Sequence, residues 1–76
     1  VTLIEEAQLL KTMPTPAEAR RIREEAGIGV ARLAAELGVN RVTINLWETG
    51  QRRPRGEARL RYARALADLK TVVEAA

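Results

Sequence analysis

Three residues at fixed intervals constrain this chain more than any other feature: Ala34, Gly38 four residues later, and Ile44 six beyond that. Ala34 is small enough for a second helix to cross close over the first. Gly38 permits a sharp turn between the two, and Ile44 drops an apolar wedge into the angle. Residues 30–37 place Leu33, Ala34 and Leu37 on one helical face. Residues 40–50 open on Asn40, whose side-chain oxygen can accept from first-turn N–H groups. They close on Gly50, suited to the left-handed position past a helix end. Inside that segment Ile44 and Trp47 form an apolar seam with Glu48 beside it. Val42, Asn45, Leu46 and Thr49 project from the opposite side, and Arg41 stands at the N-terminal edge. Core packing does not account for that outer face. It has the composition of a surface that reads a partner.

The remaining chain supplies three more helices. Thr2 and Glu5 form a capping-box pair at the head of a helix over 2–12, with Leu3, Ala7 and Leu10 (and Ile4) as its apolar stripe. That stripe is expected to pack on the domain; the rival reading makes it a dimer or partner surface. Pro14 and Pro16 break the helix, and Thr15-Pro16 with Glu18 starts the next. Ala19, Ile22, Arg23 and Ala26 follow at helical spacing until Gly27. Gly29 is a weaker N-cap for 30–37, and Val39 is placed to plug the angle after Gly38. Residues 51–56 read as a basic loop interrupted by Pro54 and Gly56. From Glu57 a long helix carries Leu60, Ala63, Leu66, Ala67, Leu69, Val72 and Val73. The expectation is an all-α, small five-helix domain over 1–76, with an extra N-terminal helix (1–13), a core (16–69) and a helical tail (70–76).

Composition narrows the function. Seventy-six residues allow one small core. The chain has no histidine and no cysteine, so the commonest general base, the commonest metal ligands and any disulfide are gone. Scattered carboxylates assemble no nucleophile–base pair, so no enzyme, cofactor or metal is expected. No apolar run approaches the roughly 20 residues of a membrane span, and a cytoplasmic location is expected. The net charge of +3 is unevenly spread. Residues 1–40 hold five basic and six acidic side chains, whereas 41–64 hold seven arginines against Glu48 and Glu57. Arginine in such excess over lysine favours bidentate recognition of phosphate and guanine.

Two short helices joined by a glycine-containing turn are a helix-turn-helix, whose second helix enters the DNA major groove. Arg23, Ala26-Gly27-Ile28, Leu33-Ala34, Leu37-Gly38-Val39, Ile44, Trp47-Glu48, Gly50 and Pro54 carry a closer likeness. Through them residues 16 to about 69 resemble the phage repressor/Cro-type (lambda-repressor-like) helix-turn-helix family. The resemblance implies a transcriptional regulator, usually a repressor, that binds a double-stranded DNA operator in a bacterial cell or phage-infected host. It implies that Arg41, Val42, Thr43, Asn45 and Leu46 meet bases or adjacent phosphates. It also implies that Glu48 pairs with Arg23. Two features depart from the pattern. Gly29-Val30 stands where the family often has Ser-Gln, so a phosphate contact there is lost or passes to backbone N–H groups. The helix over 2–12 lies outside the pattern.

Each residue also has a plainer reading. Arg41 can reach guanine O6 and N7 or only a phosphate, and Asn45 can read adenine or be solvated. Val42 and Leu46 can touch thymine methyls or be partly buried. Trp47 belongs to the core. Arg52, Arg53 and Arg55 suit phosphates or the minor groove, with Asn40 and Thr49 as further backbone contacts. Arg59, Arg61 and Arg64 read as a solvated helix face. A protein-interaction module on the same scaffold, such as an antitoxin, is the competing function. A homodimer or partner contact would then use the N- or C-terminal helix.

Overall fold

Three helix starts in this chain, at Thr2, Thr15 and Asn40, are set by side chains that satisfy otherwise orphaned N–H groups. In the computed structural model, which describes residues 2–75, Thr2 accepts from the Glu5 N–H at 3.2 Å and opens α1 (Leu3–Lys11). The reciprocal Glu5 bond of a capping box is not made there. At α2 (Pro16–Glu25) the box is complete. The Thr15 hydroxyl accepts from the Glu18 N–H, and the Glu18 carboxylate accepts from the Thr15 N–H and hydroxyl. Those bonds hold the Glu18 carboxyl below its usual range. Then follow α3 (Val30–Leu37), α4 (Arg41–Glu48) and α5 (Gly56–Ala75), which starts one residue before the expected Glu57. The described residues are all-α.

Gly38 makes the turn between α3 and α4 at φ 69°, a left-handed value. Its N–H bonds back to the Ala35 carbonyl, and the Val39 N–H bonds to that of Ala34. This is the glycine-terminated helix end that satisfies the last free carbonyls of α3. The chain therefore reverses within two residues. Half-buried Val39 packs against the core as it does so.

The core is built from α2 to α5. Ala19 and Ile22, then Leu33, Ala34 and Leu37, face Ile44, Trp47, Tyr62 and Leu66. Ile44 and Leu66 are completely buried, so truncating either to alanine costs about 2–5 kcal/mol. Tyr62, which periodicity did not single out, packs its ring on Trp47 with centroids 4.8 Å apart. Its hydroxyl is buried with no hydrogen-bond partner among the described residues, and burial pushes its pKa up to about 12.

The first helix corrects an expectation. α1 does pack on α5, the one helix it touches among those described. It does not do so through Leu3 and Ala7. Leu3 is 83% and Ile4 71% exposed, and Ala7 is exposed as well. The half-buried positions are Glu6, Leu9 and Leu10, followed by Met13. These form a stripe rotated round the helix from Leu3–Ala7–Leu10, with Leu10 in common. Met13, just past the end of α1, packs at the edge of the core. Val72, expected as apolar packing on α5, is 59% exposed.

Candidate nucleic-acid interface

The seating of α4 starts at its cap. Asn40 Oδ1 accepts from the Thr43 N–H at 2.8 Å and from the Thr43 hydroxyl at 3.0 Å. Thr43 is half-buried and its hydroxyl proton is committed to the cap. Its oxygen can still accept from a partner. At the other end the Thr49 hydroxyl donates to the Asn45 carbonyl at 2.9 Å. Gly50, at φ 78°, ends the helix, and the Arg52 N–H bonds to the Leu46 carbonyl at 3.2 Å. The basic loop is therefore tied to the helix it follows.

Burial divides α4 into two faces. Ile44, Trp47 and Glu48 are buried. Arg41, Asn45 and Thr49 are exposed, Val42 is 64% exposed, and Leu46 is half-buried. The Asn45 side-chain amide has no hydrogen-bond partner among the described residues, which leaves donor and acceptor both available. A mostly exposed valine next to an unengaged amide and a guanidinium makes a surface with no role in packing.

One buried ion pair fixes the orientation of α4. Arg23 Nε donates to Glu48 Oε2 at 2.7 Å, and its terminal nitrogen Nη2 donates to Oε1 at 3.0 Å. Nη1 donates to the Ile28 carbonyl at 2.9 Å. A single guanidinium thus joins α2, the turn before α3, and α4. The fork geometry of arginine matches a carboxylate in this bidentate way, and lysine could not replace it. The bonds to Glu48 raise the Arg23 pKa further above its already high value.

The arginines fall into two populations. Arg20, Arg21 and Arg32, on α2 and α3, each pair with a glutamate one turn on. Arg41, Arg52, Arg53 and Arg55 are exposed and make no ion pair among the described residues. Pro54, in the loop holding three of them, is half-buried. On α5, Arg64 pairs with Asp68, while Arg59 and Arg61 are exposed. At the start of α3, Gly29 supplies no side-chain cap, in contrast to Thr2, Thr15 and Asn40. First-turn N–H groups at Val30 therefore lack an acceptor from a capping side chain.

Two short helices meeting at a glycine turn, with the second showing a free polar-apolar face, define a small all-α helix-turn-helix domain. The sequence profile of the helix-turn-helix domain family, a DNA-binding family, matches residues 17–74, and the chain belongs to that family. No curated protein and no solved structure matches it. The matched span leaves the whole of α1 outside, and no helix among the described residues is long and apolar enough to cross a membrane.

Proposed function

We propose that this domain is a sequence-specific double-stranded-DNA-binding regulator, a repressor of the phage repressor/Cro type acting in the cytoplasm. The observation that carries the reading is the contrast between arginines. Those on α2 and α3 are neutralised locally or by Glu48, whereas Arg41 and the loop arginines stand free beside the outer face of α4. A groove of stacked bases flanked by phosphates is the partner that needs both halves of that surface.

In this reading α4 enters the major groove. Arg41 meets guanine O6 and N7, Asn45 pairs with adenine, and Val42 and Leu46 press on thymine methyls. Thr43 offers its hydroxyl oxygen to a base or an adjacent phosphate. Asn40, Thr49, Arg52, Arg53 and Arg55 hold the backbone, together with the uncapped N–H groups at Gly29 and Val30.

Titrating Arg41→Ala and Arg53→Ala against a selected duplex and a scrambled one, at several salt concentrations, tests the scheme. Arg41→Ala should cost about 1–3 kcal/mol on the selected duplex and relax preference at one base pair. Arg53→Ala should weaken both duplexes about equally and reduce the salt slope by about one. An Arg53 inserted in a narrow minor groove would instead discriminate A·T-rich centres. Equal weakening of both duplexes by Arg41→Ala would remove α4 as the reading element.

A further inference from the structure

α3 and α5 enclose a groove of about 430 Å³, inside the range of roughly 300–1,000 Å³ usual for small-molecule sites. No residue of α1, α4 or the 51–55 loop lines it, so it is a surface separate from the one assigned to DNA. Its floor is apolar: Leu33 and Leu37 from α3, Ala65 and Leu69 from α5, and Ile28 from the turn before α3. Half-buried Ala65 contributes only a methyl group to that floor. A longer side chain at this position would occupy the space.

The rim is charged on both walls. Arg32 and Glu36 pair on α3 at 3.0 Å, and Arg64 and Asp68 pair on α5 at 3.8 Å. Both pairs are exposed and span one helical turn, so each acid holds its arginine only weakly. Arg61 is left over: it is exposed and makes no ion pair among the described residues. It stands one turn before Ala65 on α5 and shares the face that forms the floor. The rim therefore carries three guanidiniums against two carboxylates. That surplus positive charge beside an apolar floor selects the ligand. An organic cation would meet the surplus, and a neutral hydrocarbon would leave Arg61 unused. A carboxylate can take two parallel N–H bonds from one guanidinium.

We infer that the α3–α5 groove binds a small amphipathic monocarboxylate, its apolar body on Leu33, Leu37 and Leu69 and its carboxylate on Arg61. The site stands whether or not α4 reads bases. Binding is weak, because the rim residues are exposed and the ion pair stays in contact with water.

Titrating the isotope-labelled protein with octanoate, octanol and octylammonium, each below its micelle concentration, tests the site through amide NMR shifts. The three probes share one chain and differ in head-group charge. Octanoate should give saturable shifts at Ile28, Leu33, Leu37 and Ala65. It should bind about threefold tighter than octanol, with octylammonium weakest. Arg61→Glu, a change at an exposed position, should loosen octanoate about tenfold and make octylammonium the tightest of the three. Ala65→Leu should weaken every probe by filling the floor, in a protein whose Tm is retained. Absence of saturable shifts in the groove with octanoate overturns the inference. So does equal affinity for the three probes, or an order of affinities that Arg61→Glu leaves unchanged.

Discussion

Removing either partner of the Arg23–Glu48 pair should damage the domain badly, and removing both should cost less than the two single losses added together. The side chains are 9% and 4% exposed, so water cannot replace a lost partner. In Arg23→Met the carboxylate of Glu48 loses bonds of 2.7 and 3.0 Å and stays enclosed beside Trp47. In Glu48→Gln the guanidinium keeps its bond to the Ile28 carbonyl and loses its counter-charge. Breaking a buried pair costs about 3–5 kcal/mol, with Arg23→Met toward the upper end. A domain of this size has a total stability of roughly 4–11 kcal/mol at about 0.05–0.15 kcal/mol per residue. Either change therefore takes a large share of it. At about 4–8 °C per kcal/mol, Glu48→Gln should lower Tm by at least about 12 °C. Combining Arg23→Met with Glu48→Gln removes both charges and should cost less than the two single losses added together, by about 1–3 kcal/mol. Thermal and urea unfolding of the four proteins, followed by circular dichroism, measures the cycle. An unchanged Tm for Glu48→Gln, or strictly additive losses, would refute the reasoning and reduce the pair to surface decoration.

Three further outcomes follow from the packing. Tyr62 has a folded pKa of about 12, above the ordinary value near 10. Its contribution is therefore complete below about pH 10 and lost as pH rises toward 12, by up to roughly 3 kcal/mol. Tyr62→Phe should abolish that alkaline loss and, since the hydroxyl has no partner, should be neutral or stabilising at pH 7; an unchanged alkaline profile would contradict it. Leu10→Ala should destabilise by about 1–2 kcal/mol while Leu3→Ala stays within about 0.5 kcal/mol, and the reverse order in urea melts would restore the Leu3 face as the packing face. Gly38→Ala meets no atom within 4 Å but must adopt φ 69°, so it should cost about 1–2 kcal/mol from backbone strain alone. A neutral effect in the same melts would mean that the turn relaxes.

The local grammar of the fold was legible in the sequence because it depends on neighbours within a turn or two. Thr15-Pro16 with Glu18, Asn40, Gly27, Gly38 and Gly50 mark helix ends by bonds their own side chains or φ values permit. Ala34, Gly38 and Ile44 dictate how α3 and α4 cross for the same reason. The two faces of α4 were likewise readable, since eight residues at helical spacing leave little freedom. Tertiary structure decided everything that needed two distant segments. Periodicity on α1 offers two stripes sharing Leu10, and only the packing against α5 leaves Glu6, Leu9 and Leu10 as the half-buried one. Tyr62 is a polar-tipped residue among arginines, and only its ring contact with Trp47 makes it core. Arg23 and Glu48 lie 25 positions apart, a separation that spacing within either helix cannot bridge; the resemblance named the pair, and the fold supplied its bidentate geometry. Which arginines are left free is also a tertiary property, because a charge is spent or available according to what the fold places beside it.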